Sequence, residues 1–550
     1  MKNPIQQKER SVAFLSVIGL SCIVIFCSIA GCIANSTSQS GSSPVPITSS
    51  DVIIPVDSPS SLSSTSNMQK GGVPASGLAY EGLVIKDLNG KFDPSLAESW
   101  NISSDAKTWT FHLVKNATWN DGVPFTCEDV KFTNDYMKSY NLTMGFVLGD
   151  VQTITCIDNY TAVFTLKTSY SGFLDQISHT PGISISPKHF WENITDPQHY
   201  QDTQFIGTGP FKFAGAEPGY FHYTVNDLYY GAKPKISGII LKVITNKDSQ
   251  VLALKNGEID VVSGITPAIA QSLAGENNIG LYTINDTGAY ELAFNMDQYP
   301  ANISAFRHAM SHAIDRKTVS SLFGTGQPTE TTFLIQNLAG DYVNPAEVGM
   351  YDYNLTKAVE ILAGANFTRS ADGVLTGQDG KPVTVTIPLG GHGSSVDQQK
   401  IVTVIKNDWA KLGITVSTVS YDDQTQYRNA VNDNPVFFDG FPVMLHDDAD
   451  AMMDFAHTPL QEMNYYNYND SEYNSLVAEI QNTPDQTKIR QLAYRMQELL
   501  ARDIPSVPVC TTDTIVAYRT DRFTGWDIGP GYHTILDPKV LTNLTPVKPS

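Results

Sequence analysis

Along most of this chain the hydrophobic period switches back and forth between two residues and 3.6, and that alternation limits what it can fold into. Thr108–Lys115 alternates with Trp109, Phe111 and Leu113 on one face, and Ala162, Phe164 and Leu166 repeat the pattern. Ile236–Ile244 is apolar enough for a buried strand, and Val383, Val385 and Ile387 alternate again. Between these runs lie helical stripes. Thr126-Cys127-Glu128-Asp129 has capping-box spacing, ahead of Val130 and Met137. Ile401, Val404, Ile405, Trp409 and Leu412 form a stripe that stops at Gly413. Ile489, Leu492, Ala493, Met496, Leu499 and Leu500 form another, stopped before Pro505. The stripes are core. No internal repeat is evident, and strands and helices mixed throughout predict α/β lobes.

At 550 residues the chain is long enough for two or more such lobes. It begins with a targeting segment: Lys2, Lys8, Glu9 and Arg10 make a net-positive start, and Val12–Ala30 is almost wholly apolar or small. A run of about 20 apolar residues can span a bilayer as an uncleaved helix. The ending Ile29-Ala30-Gly31-Cys32 instead resembles the lipobox of lipoproteins, in which Cys32 becomes the lipidated first residue. Either way the body is exported and tethered to the membrane at the cell surface. Ala34–Ser50, rich in Ser, Thr and Pro, reads as a flexible tether, and Ser58–Ser66 is a second such patch.

Twelve Asn-x-Ser/Thr sequons, at Asn35, Asn101, Asn116, Asn141, Asn159, Asn193, Asn285, Asn302, Asn354, Asn366, Asn469 and Asn543, suggest N-glycosylation, although Asn-x-Thr is also turn chemistry. Beyond the leader the cysteines are Cys127, Cys156 and Cys510, too few for a disulfide framework. Cys127 and Cys156 are close enough in sequence to bond in an exported chain; the alternative is two small buried thiols.

The formal net charge of −20, with no basic stripe, argues against a nucleic-acid partner. There is no G-x-S-x-G, no HExxH and no phosphate-binding G-x-x-x-x-G-K-[ST], so nothing points to an enzyme or to a cofactor.

Several phrases go beyond pattern. Residues 94–132 read PSLAESWNISSDAKTWTFHLVKNATWNDGVPFTCEDVKF, followed by GTGPFKF at 207–213, YYGAKPKI at 229–236, LKNGEIDVV at 254–262 and LAFN at 292–295. FRHAMSHAIDR at 306–316, KAVEILAGANF at 357–367, GQDGKPVTVTI at 377–387, WAKLGITV at 409–416 and RMQELLARDIPSVPV at 495–509 complete the series. In this order they resemble the peptide/nickel family of solute-binding proteins, family 5. Each also has a local reading: Asn120-Asp121-Gly122 is a turn, Gly207, Gly209 and Pro210 set a tight strand entry, and Gly257 caps a helix.

The resemblance implies a two-lobed Venus-flytrap fold that closes over its ligand by hinge motion. After a leader at 1–31 and a tether at 32–50, one lobe would comprise 51–293 with 509–550 returning to it, and the other 294–508. Two crossover strands would join them, near Leu292–Asn295 and Ser506–Cys510. The implied function is that of a monomeric extracytoplasmic protein that captures a small ligand, most simply a peptide, and delivers it to the permease and ATPase subunits of an ABC importer. A nickel chelate in the same cleft, or a surface receptor that keeps the fold without transport, are the competing readings.

The chain departs from the family pattern in three places. The usual opening strand with its Asp-Pro pair is hard to find between Asp51 and Gly77. Val114 stands where Arg or Lys is customary, and FFDGFPVMLHDDADAMMDF at 437–455 replaces the usual aromatic residue and acidic loop. In dipeptide-binding relatives an Asp of this loop pairs with the ligand's ammonium. Asp447 is the best positional match, with Asp448 and Asp450 beside it, against the plain reading of a solvated acidic loop. Arg428 is the candidate partner for a carboxylate, against an exposed helix position. His446 and His457, with His392, raise the nickel reading because imidazole suits that metal. His308 and His312 are four apart, as zinc ligands are, but read better as polar residues on a solvated helix face. Phe437, Phe438 and the Tyr465-Tyr466-Tyr468 cluster can stack on a ligand or simply pack.

Overall fold

Three sheets carry the strands predicted above in the computed structural model, which describes residues 48–56, 76–86, 91–142, 151–170, 172–178, 183–197, 199–200, 202, 204–322, 342–347, 351–390, 395–421, 423–442, 464–483, 485–526 and 535–547. One four-stranded sheet runs Ala97–Ile102, Thr108–Leu113, Thr161–Leu166, Val151–Asp158 in spatial order. Its inner face is the alternating apolar set: Trp109, Phe111, Leu113, Ala162, Phe164 and Leu166 are all buried. Against it lies the helix Cys127–Ser139, where Asp129 accepts the Thr126 amide at 2.9 Å and the Lys188 amide at 3.0 Å. The predicted cap thus also pins a second segment to the helix start. Cys127 and Cys156 are bonded, tying that helix to the sheet, so the reading of two free buried thiols gives way to a disulfide.

A second four-stranded sheet runs Asp51–Val56, Gly238–Val243, Tyr220–Val225, Phe211–Glu217. Its first strand is the opening strand that was hard to find in the sequence. It lies at the very start of the searched window and pairs in parallel with Gly238–Val243, so its partner is remote in sequence.

The third sheet has six strands, in the order Val261–Ile265, Ser506–Arg519, Ile279–Phe294, Val436–Pro442, Thr384–Leu389, Thr415–Ser420. Its two long central members are antiparallel partners over most of their length and run from one core into another. Ile284, Ile515 and Val516 belong to the cores of the N-terminal part, whereas Tyr290, Leu292, Val507, Val509 and Cys510 belong to the core built on Trp409, Phe306 and Ile405. The fold is therefore the two-lobed flytrap that the resemblance implies, with these strands as its crossovers.

Local signals end elements where the sequence predicts. Gly257 closes the helix Lys247–Asn256 in the left-handed region at φ 75°. Gly413 follows the helix Ser395–Lys411 in the left-handed region at φ 88°, where a Cβ would stand 2.2 Å from Gly373 O. The stripe near the end forms the helix Gln486–Asp503, with Ile489, Ala493, Met496, Leu499 and Leu500 buried. Burying each such large apolar side chain stabilises by about 1.5–3 kcal/mol.

Candidate functional site at the hinge

The crossing strands are regular on either side of two breaks. Pairing shifts between Ile284 and Gly288 and again between Tyr290 and Glu291. Val261–Ile265 flanks the pair on the N-terminal side of the first break, with Ile265 opposite Ile515, and Val436–Pro442 flanks it on the other, with Pro442 opposite Gly288. The lateral support of the ribbon thus changes hands across one short stretch. A hinge needs such a stretch: a few residues that absorb backbone rotation while the flanking sheets stay rigid.

Glu291 sits at the second break, buried in the sheet. A carboxylate withdrawn from water needs donors, and two distant segments supply them. The Tyr466 hydroxyl donates to Oε1 at 2.5 Å and the Ser506 hydroxyl donates to Oε2 at 2.8 Å. Asp439, also buried, is its register partner on Val436–Pro442. Burial first, then the negative charges of Asp439 and Glu291, hold the Tyr427 hydroxyl protonated well above its usual range, and that hydroxyl donates to Phe438 O at 2.9 Å. Asn295 adds a second tie. Its amide donates to Asn432 O at 3.0 Å, and its Oδ1 accepts from Asn467 at 2.9 Å, linking the helix Gln424–Asp433 to the segment that starts at Asn464.

These contacts fix both ends of the divergent acidic segment. The chain leaves the sheet at Pro442, opposite Gly288, and re-enters the described structure at Asn464, two residues before the tyrosine that binds Glu291. Asp447, Asp448, Asp450, His446 and His457 lie between these two points, outside the described residues; His392 and Cys32, elsewhere in the chain, are also outside them. Arg428 is an exposed position of its helix, with its guanidinium 5.9 Å from the ring centre of Tyr465, beside the point of re-entry.

The aromatic candidates divide. Phe437 and Phe438 are buried, Phe438 stacked on Tyr290 at 5.7 Å and Phe437 packed on Tyr466 at 5.8 Å. Tyr468 is buried and donates to Asp503 at 3.0 Å. These are core; Tyr465 remains half-buried. His308 and His312 do not lie on a solvated face. His312 is buried, with Nδ1 2.9 Å from Asp352 O, and His308 is half-buried, with Nε2 2.9 Å from Arg502 O. Their helix packs both sides against the lobe, and the imidazoles satisfy carbonyls of neighbouring segments. Cys510 is buried, which pushes its thiol up to about 12 and removes it as a nucleophile at neutral pH. Several sequon asparagines have local work: Asn354 caps the helix Leu355–Gly364, and Asn141 and Asn366 sit at positive φ.

Glu291 was not singled out in the sequence. The available signal was one acidic residue heading an apolar strand, Glu291-Leu292-Ala293-Phe294.

Residues 91–459 match the family model described as bacterial extracellular solute-binding proteins, family 5 middle. The nickel-binding periplasmic protein of Escherichia coli is 26% identical over 451 residues, covering 76% of this chain and 81% of that protein. The oligopeptide-binding protein AppA of Bacillus subtilis is 24% identical over 517 residues, covering 90% of this chain and 93% of its own. Among solved structures, NikZ from Campylobacter jejuni in complex with Ni(L-His) superposes with a TM-score of 0.76 at 21% identity, over 91% of this chain and 100% of that one.

Proposed function

The chain belongs to family 5 of the bacterial extracellular solute-binding proteins, and we propose that it captures a peptide between its lobes and hands it to the permease and ATPase subunits of an ABC importer. The family is one of extracytoplasmic transport binding proteins, not enzymes. The observation that carries the ligand reading is the anchoring of the acidic segment, whose two ends are held at the hinge by the Gly288–Pro442 pair and by Tyr466 on Glu291. An ammonium drawn into a closing cleft needs a carboxylate to offset its lost hydration. Asp447, with Asp448 and Asp450, supplies it in this reading, and Arg428 receives the peptide carboxylate. The lobes are taken as 51–293 with 509–550, and 294–508. The division of the apolar cores supports those limits to within a few residues. The protein works as a monomer, glycosylated at exposed sequons and tethered outside the cytoplasmic membrane through lipid on Cys32.

Calorimetry tests the ligand. Asp447→Asn keeps the shape and removes the charge, so peptide affinity should fall about thirtyfold, or roughly 2 kcal/mol, while the melting temperature of the unliganded protein barely moves. If nickel with a small chelator binds instead, and His446→Ala or His457→Ala abolishes that binding while Asp447→Asn does not, the peptide reading is wrong. Failure of both ligand classes would remove the importer reading and favour a surface receptor.

A further inference from the structure

The described asparagines divide by sequence context. Of the seventeen outside Asn-x-Ser/Thr sequons, four are buried, namely Asn134, Asn226, Asn295 and Asn344, and eight are exposed. Of the eleven inside sequons none is buried and ten are exposed, Asn354 being the half-buried one. Turn chemistry does not sort them this way, because it acts on asparagine in both sets. A requirement that the side chain be reachable by a sugar-transferring enzyme does.

One of the ten stands where a simple turn has no place. Asn285-Asp286-Thr287 lies inside the crossing strand Ile279–Phe294, at the first break in its pairing. Ile284 is opposite Thr514 and Gly288 opposite Thr512, so the three residues of the sequon face the single residue Asp513. On the other side, pairing with Val436–Pro442 begins only at Gly288. The sequon backbone is therefore out of register with one neighbour and, among the described strands, beyond the reach of the other. Extra residues of this kind bulge out of a ribbon. Asn and Asp are poor strand formers, so the sequence itself favours the break at this point. Asn285 is exposed there, and its side-chain amide makes no hydrogen bond among the described residues.

We propose that Asn285 carries an N-linked sugar, and that this sugar covers the gap in the crossing ribbon. The inference rests on the exported, glycosylated reading above and names a site within it. The donor class is a sugar held through its anomeric carbon on a lipid phosphate or diphosphate. In the transfer the anomeric C–O bond to the phosphate breaks and a bond from that carbon to Asn285 Nδ2 forms. The lipid phosphate departs with the electron pair, and one amide proton passes to a base of the transferase. Thr287 completes the sequon that the enzyme reads.

The position gives the sugar a task. Asn285 is about 10 Å along the strand from Gly288, and Gly288 is opposite Pro442, where the acidic segment leaves the sheet. A hinge keeps a few residues free of regular pairing so that they can rotate. Backbone that is both free and exposed is also what proteases cut. A bulky polar group on the Asn285 side chain shields that backbone without adding a strand hydrogen bond that would stiffen it. Asp286 makes the shield measurable, because a protease specific for aspartate would have to cut beside the glycosylated residue.

The test uses the protein purified from the cells that make it. Chymotrypsin releases Asn285 between Tyr282 and Tyr290, apart from the sequon at Asn302, and mass spectrometry of that peptide should show at least one added monosaccharide. Asn285→Gln and Thr287→Ala should each abolish the added mass, whereas Thr287→Ser, which preserves the sequon, should keep it. In the folded protein, a protease that cuts before aspartate should attack Asp286 about tenfold faster in the two unglycosylated variants than in the parent or in Thr287→Ser. An unmodified Asn285 peptide in a protein whose other sequons are occupied would overturn the proposal and leave the exported-glycoprotein reading standing. No sugar on any sequon would overturn both, with labelling of intact cells deciding export separately. Sugar on Asn285 with equal cutting of parent and variants at Asp286 would also overturn it, because the sugar would then cover nothing.

Discussion

Removing the Cys127–Cys156 bond should destabilise one part of the protein by a calculable amount. The two residues are 29 apart, so the bond closes a loop whose chain entropy in the unfolded state is worth about 3.6 kcal/mol at 25 °C. How far the melting temperature falls depends on which part of the chain unfolds with the loop. The bond lies within the apolar core of the first four-stranded sheet, built from residues between Leu83 and Ile206. If that unit of roughly 120 residues unfolds by itself, an unfolding entropy of about 2.1 cal/mol/K per residue converts the loss into a drop of about 14 °C. If the whole body of roughly 500 residues unfolds as one, the same loss lowers the transition by only about 3–4 °C. Calorimetry of a Cys127→Ala, Cys156→Ala double variant against the parent, both without reductant, separates the two. Because this sheet shares no strand with the other two, a split transition with the lower component displaced is expected. Thiol counting provides the control. The chain from Ile33 onward, unfolded without reductant, should show one reactive thiol, Cys510, and three after reduction. Three thiols before reduction, or a double variant that melts with the parent, would refute the reasoning.

Two further outcomes concern the N-terminal lobe. Because burial raises the Glu81 carboxyl from 4.5 to about 7, the folded state holds its proton more tightly than the unfolded state; that contribution is complete below pH 4.5 and is lost as pH rises through about 7. Glu81→Gln, which cannot ionise, should therefore match the parent near pH 4 and exceed it at pH 8 by up to about 3 kcal/mol, read as a melting-temperature gap that widens with pH. Gly207→Ala should cost at least 1–3 kcal/mol in denaturant titration, because its Cβ meets backbone rather than a yielding side chain, whereas Gly275→Ala, with open space around it, should stay within about 0.5 kcal/mol of the parent.

The parts of this structure that depend on near neighbours were legible in the sequence. The stripes at Trp109–Leu113, Ile401–Leu412 and Ile489–Leu500 are buried faces of the predicted elements, and Thr126–Asp129 and Gly257 sit at the helix ends they mark. The ordered phrases gave the fold, and the structure supplies physical roles for some of them. In FRHAMSHAIDR, Arg307 and Arg316 are buried. Arg307 donates to Asp503 O and Ala301 O, and Arg316 to Pro508 O and Tyr351 O, so the motif wires helix ends and a crossing strand together through carbonyls. What periodicity does not carry is pairing at long range. Glu291 meets Tyr466 and Ser506 across 175 and 215 residues, and nothing in local composition marks a carboxylate as buried rather than solvated. His312 was misread for the same reason: the carbonyl that accepts it belongs to Asp352, beyond a segment whose path the sequence does not give. The ligand candidates in the acidic segment lie outside the described residues.

The strand order of the largest sheet also sets the order in which the protein can be finished. Ser506–Arg519 lies between Val261–Ile265 and Ile279–Phe294, and Val261 pairs with Tyr518. The N-terminal lobe therefore lacks a middle strand until nearly the whole chain has been made or has crossed the membrane. Asp260 waits as long, since the donors that enclose it include both guanidinium contacts of Arg522. Meanwhile Thr384–Leu389, Thr415–Ser420 and Val436–Pro442 already have Ile279–Phe294 to build on, and the disulfide-linked sheet is complete by Leu166. Such late, non-local pairing is slow, and an open strand edge invites the wrong partner in the interval. The part of the chain that emerges first is thus completed last, and mutations in residues 506–522 should show themselves in secretion yield before they show in ligand affinity.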